Sequence, residues 1–458
     1  MQKKILYVLA AILIPLLSFP INLFAVGSSG LENASFSAKS MALADAVAAQ
    51  ADEPAAISYN PAGISYLPGF QVQPNIAFIS TFTYRESSVQ SNDRSSGTLV
   101  PIPTGYITAN PGNLLWNRFA FGVGSDSPFG LSNKYNTADR AVQYTGYVNY
   151  LKMYTIKPVV SFKLFDWLSI GGGPIWYRVF DYGGVEAYPN KLIAGGLADG
   201  QVRVNTSGNG WGWHFGVLAK PHKMHQFGFY FRSPVVINTR GLGKVENSSF
   251  APGGNFEAGV NSDLPLPLNI EFAYAFKPTD RLTTELDLGY TRWSIFERAN
   301  IDHNSTNLSV ADNAILNALG IADRDWSDGY SINWSGSYKA TKVLTLLLGS
   351  WYYWKVVPHD HWTPAIPDAN HLGFSFGTSY AVYKHFTVDL AYLIVLGLPR
   401  RIDNNITEAI GGKVDGKYHS FSQEFAVTAT YHWDDLFTKL SKKGKPAQIE
   451  NPNVQTIT

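Results

Sequence analysis

The sequence predicts an all-β fold: a transmembrane antiparallel barrel of about fourteen strands around a small N-terminal hatch inside the lumen. Three observations predict it. Apolar and polar residues alternate with period two along most of the chain. The connections between alternating segments switch regularly between short and long. Charged residues make up 16% and aromatics 14%, where a soluble domain carries about 25% charged residues. Mean hydropathy still lies near zero, which suits strands with one apolar and one polar face.

The same figures exclude other classes. The chain has 458 residues, with 36 Lys and Arg against 35 Asp and Glu, for a net charge of +1. That balance gives no electrostatic footprint for nucleic acid. Cysteine is absent, so there is no disulfide framework and no thiolate metal site. A helical membrane protein would show repeated apolar runs of about 20 residues, and the one candidate run is N-terminal.

That run begins after Lys3 and Lys4 and extends from Ile5 to Phe19. A basic start, an apolar stretch and a short end near Ala25 read as a secretory signal peptide over 1–25. Leu23 departs from the usual small-residue cleavage pattern. Pro15, Pro20 and Asn22 oppose a long spanning helix. Residues 26–69 precede the first strand and differ in composition, being rich in small residues from Ser37 to Ala51. Phe36, Leu43 and Val47 stand near helical spacing and predict a small helix. A barrel of this size lies between packed eight-stranded barrels and water-filled porins, so this segment is the natural plug.

Residues 70–433 carry the strands. Phe119, Phe121 and Val123 share a face, as do Phe227, Phe229 and Phe231, Ile270, Phe272, Tyr274 and Phe276, and Phe425, Val427 and Ala429. Short connections include Phe165-Asp-Trp167, Pro278–Arg281 and Tyr383-Lys-His385. Long ones include 181–210, 236–266 and 294–327. Tight turns on one side and long loops on the other are the plan of an outer-membrane barrel. Aromatics near strand ends, as at Trp351–Trp354 and Tyr431–Trp433, fit interfacial girdles. Alternation places Lys157, Arg232 and Lys355 inward, with Glu271, Glu285, Asp287, Asp389 and Glu424 inward on later strands. Residues 434–458 read as a polar tail with few apolar residues.

From Ser40 to Gly69, through Ala51-Asp52, Asn60-Pro61-Ala62 and Leu67, the chain resembles the long-chain fatty-acid transporter family of Gram-negative outer membranes. This FadL/TodX type also includes aromatic-hydrocarbon channels. Phe121–Leu131 with Tyr135, Leu264–Leu268, Trp293–Phe296 and Ile366-Pro-Asp368 extend the resemblance over nearly all of 30–433. It implies a fourteen-stranded barrel with an N-terminal hatch whose Asn60-Pro61-Ala62 turn lies beneath an inward kink of the third strand, a lateral exit into the membrane. Gly122, Gly124 and Pro128 mark that strand, since glycine weakens a ladder and proline cannot donate to it. One departure is the polar tail, where such barrels usually end on an aromatic residue read by the assembly machinery.

The function expected is passive uptake of long-chain fatty acids or other hydrophobic compounds, without cofactor or metal, by a monomer in contact with outer-membrane lipids and lipopolysaccharide. An aromatic-hydrocarbon channel and a barrel serving adhesion or phage reception are the alternatives. Each methylene buried contributes about 0.8 kcal/mol, so a transporter needs apolar landing sites outside and an exit that avoids water. Leu192, Ile193 and Leu197 in one long loop are landing candidates. Ile315, Leu316 and Leu319 in another, after Ser309 and Asp312, are the others. Lys157, Arg232 and Lys355 are candidates for a carboxylate head group. Catalysis is not expected: Gly373-Phe-Ser-Phe-Gly377 matches a nucleophile elbow but lies in a strand rather than at a strand-to-helix turn. His359-Asp-His361 has no clear third ligand for a metal.

Overall fold

The computed structural model describes residues 30–33, 36–86, 93–95, 97, 99–135, 142, 144–188, 199–247, 255–304, 321–404 and 414–433. There the alternating segments become fourteen antiparallel staves of one barrel. In chain order they are β1 (Phe70–Glu86), β2 (Val100–Ala109), β3 (Phe119–Asp126 and Leu131–Lys134), β4 (Val148–Phe165) and β5 (Leu168–Tyr188). Then follow β6 (Gly200–His222), β7 (His225–Arg232 and Val235–Glu246), β8 (Phe256–Leu266 and Asn269–Phe276), β9 (Leu282–Thr291 and Arg298–Asn304) and β10 (Ile321–Asp323 and Gly329–Lys339). The last are β11 (Leu344–Tyr353), β12 (His371–Tyr383), β13 (Phe386–Ile402) and β14 (Gly416–Trp433). β14 returns to pair with β1 from Trp433 opposite Phe70 to Lys417 opposite Glu86. Closure removes the unpaired edge that lipid cannot satisfy.

Alternation sorts the two faces. On β8, Phe272 is 59% exposed on the outer face while its neighbours Ala273 and Ala275 are buried. On β12, Phe374 and Phe376 point outward and Ser375 is buried. Aromatics pair at the short-turn end, where Phe165 stacks on Trp167 at 5.6 Å and Phe119 meets Phe162 at 4.7 Å. The stretches expected to be a leader (1–25) and a polar tail (434–458) and all six landing candidates (Leu192, Ile193, Leu197, Ile315, Leu316, Leu319) lie outside the described residues.

Against the inward faces packs the N-terminal segment, with α1 (Ala38–Ala42), α2 (Ala56–Tyr59) and a 3-10 turn at Pro61–Tyr66. The helix expected within 37–51 is only five residues long. Ser37 caps it in a box with Ser40, and Ala44, Asp45 and Ala51 then take positive φ of 51°, 56° and 40°. The physical reason is that the barrel wall supplies partners a longer helix would have supplied itself. Asp287 Oδ2 accepts from Val47 N and Ala48 N at 3.0 and 3.2 Å, and Glu285 accepts from Ala49 N and Gln50 N at 2.5 and 3.1 Å. In return, Ser375 Oγ donates to Ala42 O, Asn333 Nδ2 to Ala44 O and Ser335 Oγ to Ala46 O, each at 2.8–2.9 Å. The contact is too close for side chains at several wall positions: a Cβ on Gly228, for example, would lie 2.5 Å from Ala48 O, and one on Gly349 2.5 Å from the Leu43 carbonyl carbon.

Candidate functional site

The ladder between β2 and β3 is incomplete. β2 pairs with β1 along its whole length, from Ala109 opposite Phe70 to Val100 opposite Ile79. Its ladder to β3 runs only from Ala109 opposite Phe121 to Gly105 opposite Ser125. Among the described residues, 100–104 have no β3 partner. Pro101 and Pro103 fall in this stretch. The ladder to β1 is continuous through both, so their missing N–H groups fall on the edge that β3 leaves bare. Proline is tolerated where no ladder donor is needed, and here it lessens the donors left unpaired beside the membrane.

β3 leaves the ladder by turning inward after Asp126. Ser127, Pro128, Phe129 and Gly130 are all buried, Phe129 completely. The Phe129 ring meets Trp293 edge-on at 6.0 Å, and Arg232 Cζ sits 4.7 Å from its centroid. The inner side of this turn is covered by the start of the N-terminal segment. Asn33 N donates to Pro128 O at 2.8 Å, Gly130 N to Leu31 O at 2.9 Å, and Asn33 Nδ2 to Ser127 O at 3.0 Å. Glu32 thereby stands opposite Phe129 as a short antiparallel bridge. Further along, Thr104 Oγ1 of the unpaired β2 edge donates to Phe36 O at 2.7 Å. The gap in the wall is thus closed from within by residues of the N-terminal segment.

Two buried ion pairs flank the turn. Lys157 Nζ lies 2.5 Å from Asp126 Oδ2 with both side chains fully buried. Lys157 Nζ also donates to Ser58 Oγ at 3.2 Å, Thr155 Oγ1 to Asp126 Oδ1 at 2.5 Å, and Ser58 Oγ to the same carboxylate. This cluster ties α2 to β3 and β4. Arg232 donates to Glu32 Oε1 at 2.8 Å, again with both side chains largely buried. Nearer the short turns, Lys39 pairs with Asp52 at 2.6 Å. Burial pushes the Asp52 carboxyl up, but Lys39 more than reverses this and holds it at about 2.

Removing one member of a buried pair leaves the other charge uncompensated and costs about 3–5 kcal/mol. Lys157→Met is therefore expected to lower the temperature at which the folded barrel loses its compact gel mobility. The double variant Lys157→Met with Asp126→Leu should recover most of the loss. Unchanged melting of the single variant would show that the pair bears no load.

The residues expected to act sort into groups. Asn60, Pro61 and Ala62 seat the segment on β4, β5 and β6. Asn60 Nδ2 donates to Ala48 O at 2.7 Å and Val217 O at 3.1 Å, and Ala62 O accepts from Ser161 Oγ and Ser169 Oγ at 3.0 and 2.9 Å. Ile57 and Ser58 of α2 reach the Phe119–Asp126 part of β3, which the 3-10 turn at Pro61–Tyr66 also contacts. Gly122 and Gly124 stay in regular ladder positions, and their lack of a side chain admits Ile57, which a Cβ on either would meet at 2.7–2.8 Å. Pro128 is in the inward turn itself. Lys157 and Arg232 are inward, as alternation requires. Lys355 corrects an expectation: the last ladder pair of β11 is Tyr353 with Ser331, so alternation no longer assigns a face two residues later, and Lys355 is exposed. Glu285 and Asp287 are inward but serve the N-terminal segment's backbone. His359 and His361 pair separately with Asp403 and Asp325. Sequence reasoning missed Glu32, Asp126, Pro101 and Pro103. The two prolines carried a signal, since Pro-x-Pro inside a central strand marks an edge with no neighbour.

Comparison with known proteins gives this geometry its setting. The family model described as outer membrane protein transport protein (OMPP1/FadL/TodX) matches residues 24–433. Outer membrane protein P1 of Haemophilus influenzae is 23% identical over 354 residues, covering 70% of this chain and 72% of that protein. A long-chain fatty acid transport protein of Escherichia coli is 24% identical over 307 residues, covering 60% and 65%. Among solved structures, a Pseudomonas aeruginosa FadL homologue superposes with a TM-score of 0.76 at 18% identity, over 88% of this chain and 99% of that one. The Pseudomonas putida toluene transporter TodX does so at 0.67 and 15%, over 88% and 100%. With the family model spanning the N-terminal segment and every stave of the closed barrel, the chain belongs to the OMPP1/FadL/TodX family of outer-membrane transport proteins.

Proposed function

We propose that this barrel takes up hydrophobic molecules, long-chain fatty acids or aromatic hydrocarbons, and releases them sideways between β2 and β3. The observation that carries the reading is the bare β2 edge at 100–104 facing an inward-turned β3. A wall opening at that height gives an apolar molecule a way out that never crosses bulk water. The outer half of the lumen supports the same reading. Leu31, Phe129, Trp293, Phe296, Trp326, Trp362 and Tyr418 form one buried cluster there, where an acyl chain or an aromatic ring gains burial. The N-terminal segment acts as a hatch: seated, it covers the gap, and displaced, it connects the apolar cluster to the membrane. The relatives named for fatty acid and toluene transport bracket the substrate range. Transport is passive, driven by partition of the substrate from water into apolar surroundings.

Uptake of labelled oleate and of labelled toluene into a transporter-deficient strain tests this. The expected result is accumulation of at least one of them above the strain's background. Normal surface levels of the protein with accumulation of neither would refute the reading.

A further inference from the structure

We infer that Glu32 is a built-in counter-anion: it holds, on Arg232, the place that the charged head of an anionic amphiphile takes during transport, and exchange of the two unseats Leu31–Asn33 from β3. The inference rests on the lateral release proposed above and adds a substrate class to it, carboxylate-headed long chains over neutral hydrocarbons.

Arg232 is buried, and its counter-charge comes from the N-terminal segment rather than from the barrel wall. Among the described residues its Nε has no hydrogen-bond partner, so the guanidinium retains capacity for a second or a bidentate acceptor. A cavity opens onto the pair, lined by Glu32, Arg232, Tyr230, Phe36, Asp45 and Glu271 among others. An amphiphile's head group in that cavity would meet Glu32 and Arg232 side by side.

Charge balance favours exchange over addition. Among the described residues Glu32 is the carboxylate bonded to Arg232, while Asp45 and Glu271 line the same cavity. A second carboxylate on Arg232 would repel Glu32, whereas swapping one carboxylate for another leaves the charge unchanged. Withdrawal of Glu32 with no replacement would strand Arg232 as an unpaired buried cation, which is strongly disfavoured. A neutral hydrocarbon therefore offers nothing in return for Glu32, and a carboxylate does. The exchange acts on the gate because Glu32 stands between the two backbone contacts that cover the β3 turn, Gly130 N to Leu31 O and Asn33 N to Pro128 O. A ligand shifts an equilibrium only through differential affinity for its two states, and here that difference is the head-group charge.

The test uses the full chain in lipid nanodiscs, with oleate and methyl oleate as probes. Binding is measured for the wild type and Glu32→Gln, and amide hydrogen exchange is followed at residues 31–33 of the wild type. Removing the internal competitor should tighten oleate binding about tenfold, within ordinary coupling factors, and leave methyl oleate unchanged. Oleate, but not methyl oleate, should speed exchange at residues 31–33. Oleate binding in folded Glu32→Gln that is no tighter than wild type, or an equal gain for the ester, would overturn the exchange. So would exchange at residues 31–33 that responds alike to both probes in the wild type. Failure of the wild type to bind either probe would also overturn the exchange, whereas the transport reading on which it rests falls only if toluene uptake fails as well.

Discussion

Replacing Glu285 and Asp287 together by alanine is expected to turn the closed barrel into a leaky pore. These two carboxylates receive four consecutive backbone N–H groups, those of Val47, Ala48, Ala49 and Gln50. The segment there has left helical geometry, so it has no internal partners to fall back on. A buried donor left unsatisfied costs about 1–3 kcal/mol, and four such donors lie together on this one turn. Loss of the two side chains also opens space beside Ala48 and Ala49, which pack on Ala273 and Ala275. The expected readouts are larger single-channel conductance in planar bilayers and greater sensitivity of cells to large polar antibiotics. Compact gel mobility should persist, because the ladders of β8, β9 and β10 do not depend on these side chains. The pair Glu285→Gln with Asp287→Asn keeps a carbonyl acceptor at each position and should leak far less. A silent pore in the alanine pair would show that the segment is held by other means.

The barrel was legible in the sequence because its solvent is two-sided. A lipid face and a lumen face impose period two, and stretches such as Phe272–Phe276 and Phe374–Phe376 carry it openly. Chain closure follows from the same demand, since an open edge cannot exist in lipid. The site was less legible for the opposite reason: it consists of places where the pattern stops. Beyond Tyr353 the alternation that assigned Lys355 inward no longer applies. The turn at Ser127–Gly130 was visible only as glycines and a proline nearby, and Gly122 and Gly124 turn out to make room for Ile57 rather than to bend the strand. Asp126 and Glu32 gave no local signal, because each acquires its meaning from a partner on another element, Lys157 and Arg232. The inward carboxylates were visible one by one. That Glu285 and Asp287 face backbone N–H groups, and not a substrate or a cation, depends on the path of a segment whose positive-φ residues at Ala44, Asp45 and Ala51 have no sequence signature.

The central claim is that release requires the N-terminal segment to leave the β3 turn, and the native chain, free of cysteine, allows a clean test. Glu32 and Phe129 stand directly opposite in an antiparallel bridge. The flanking bonds, Asn33 N to Pro128 O and Gly130 N to Leu31 O, make them a non-hydrogen-bonded pair. Such pairs bring Cα atoms to about 4.5 Å, within reach of a disulfide. A double variant, Glu32→Cys with Phe129→Cys, locks the segment onto the turn when oxidised and frees it when reduced. The same protein therefore serves as its own control for whatever the substitutions cost. Uptake of the transported probe, oleate or toluene, should fall to the background of the transporter-deficient strain in oxidised cells and return on treatment with dithiothreitol. Uptake by the fully cross-linked protein at the rate of the reduced protein would contradict the account.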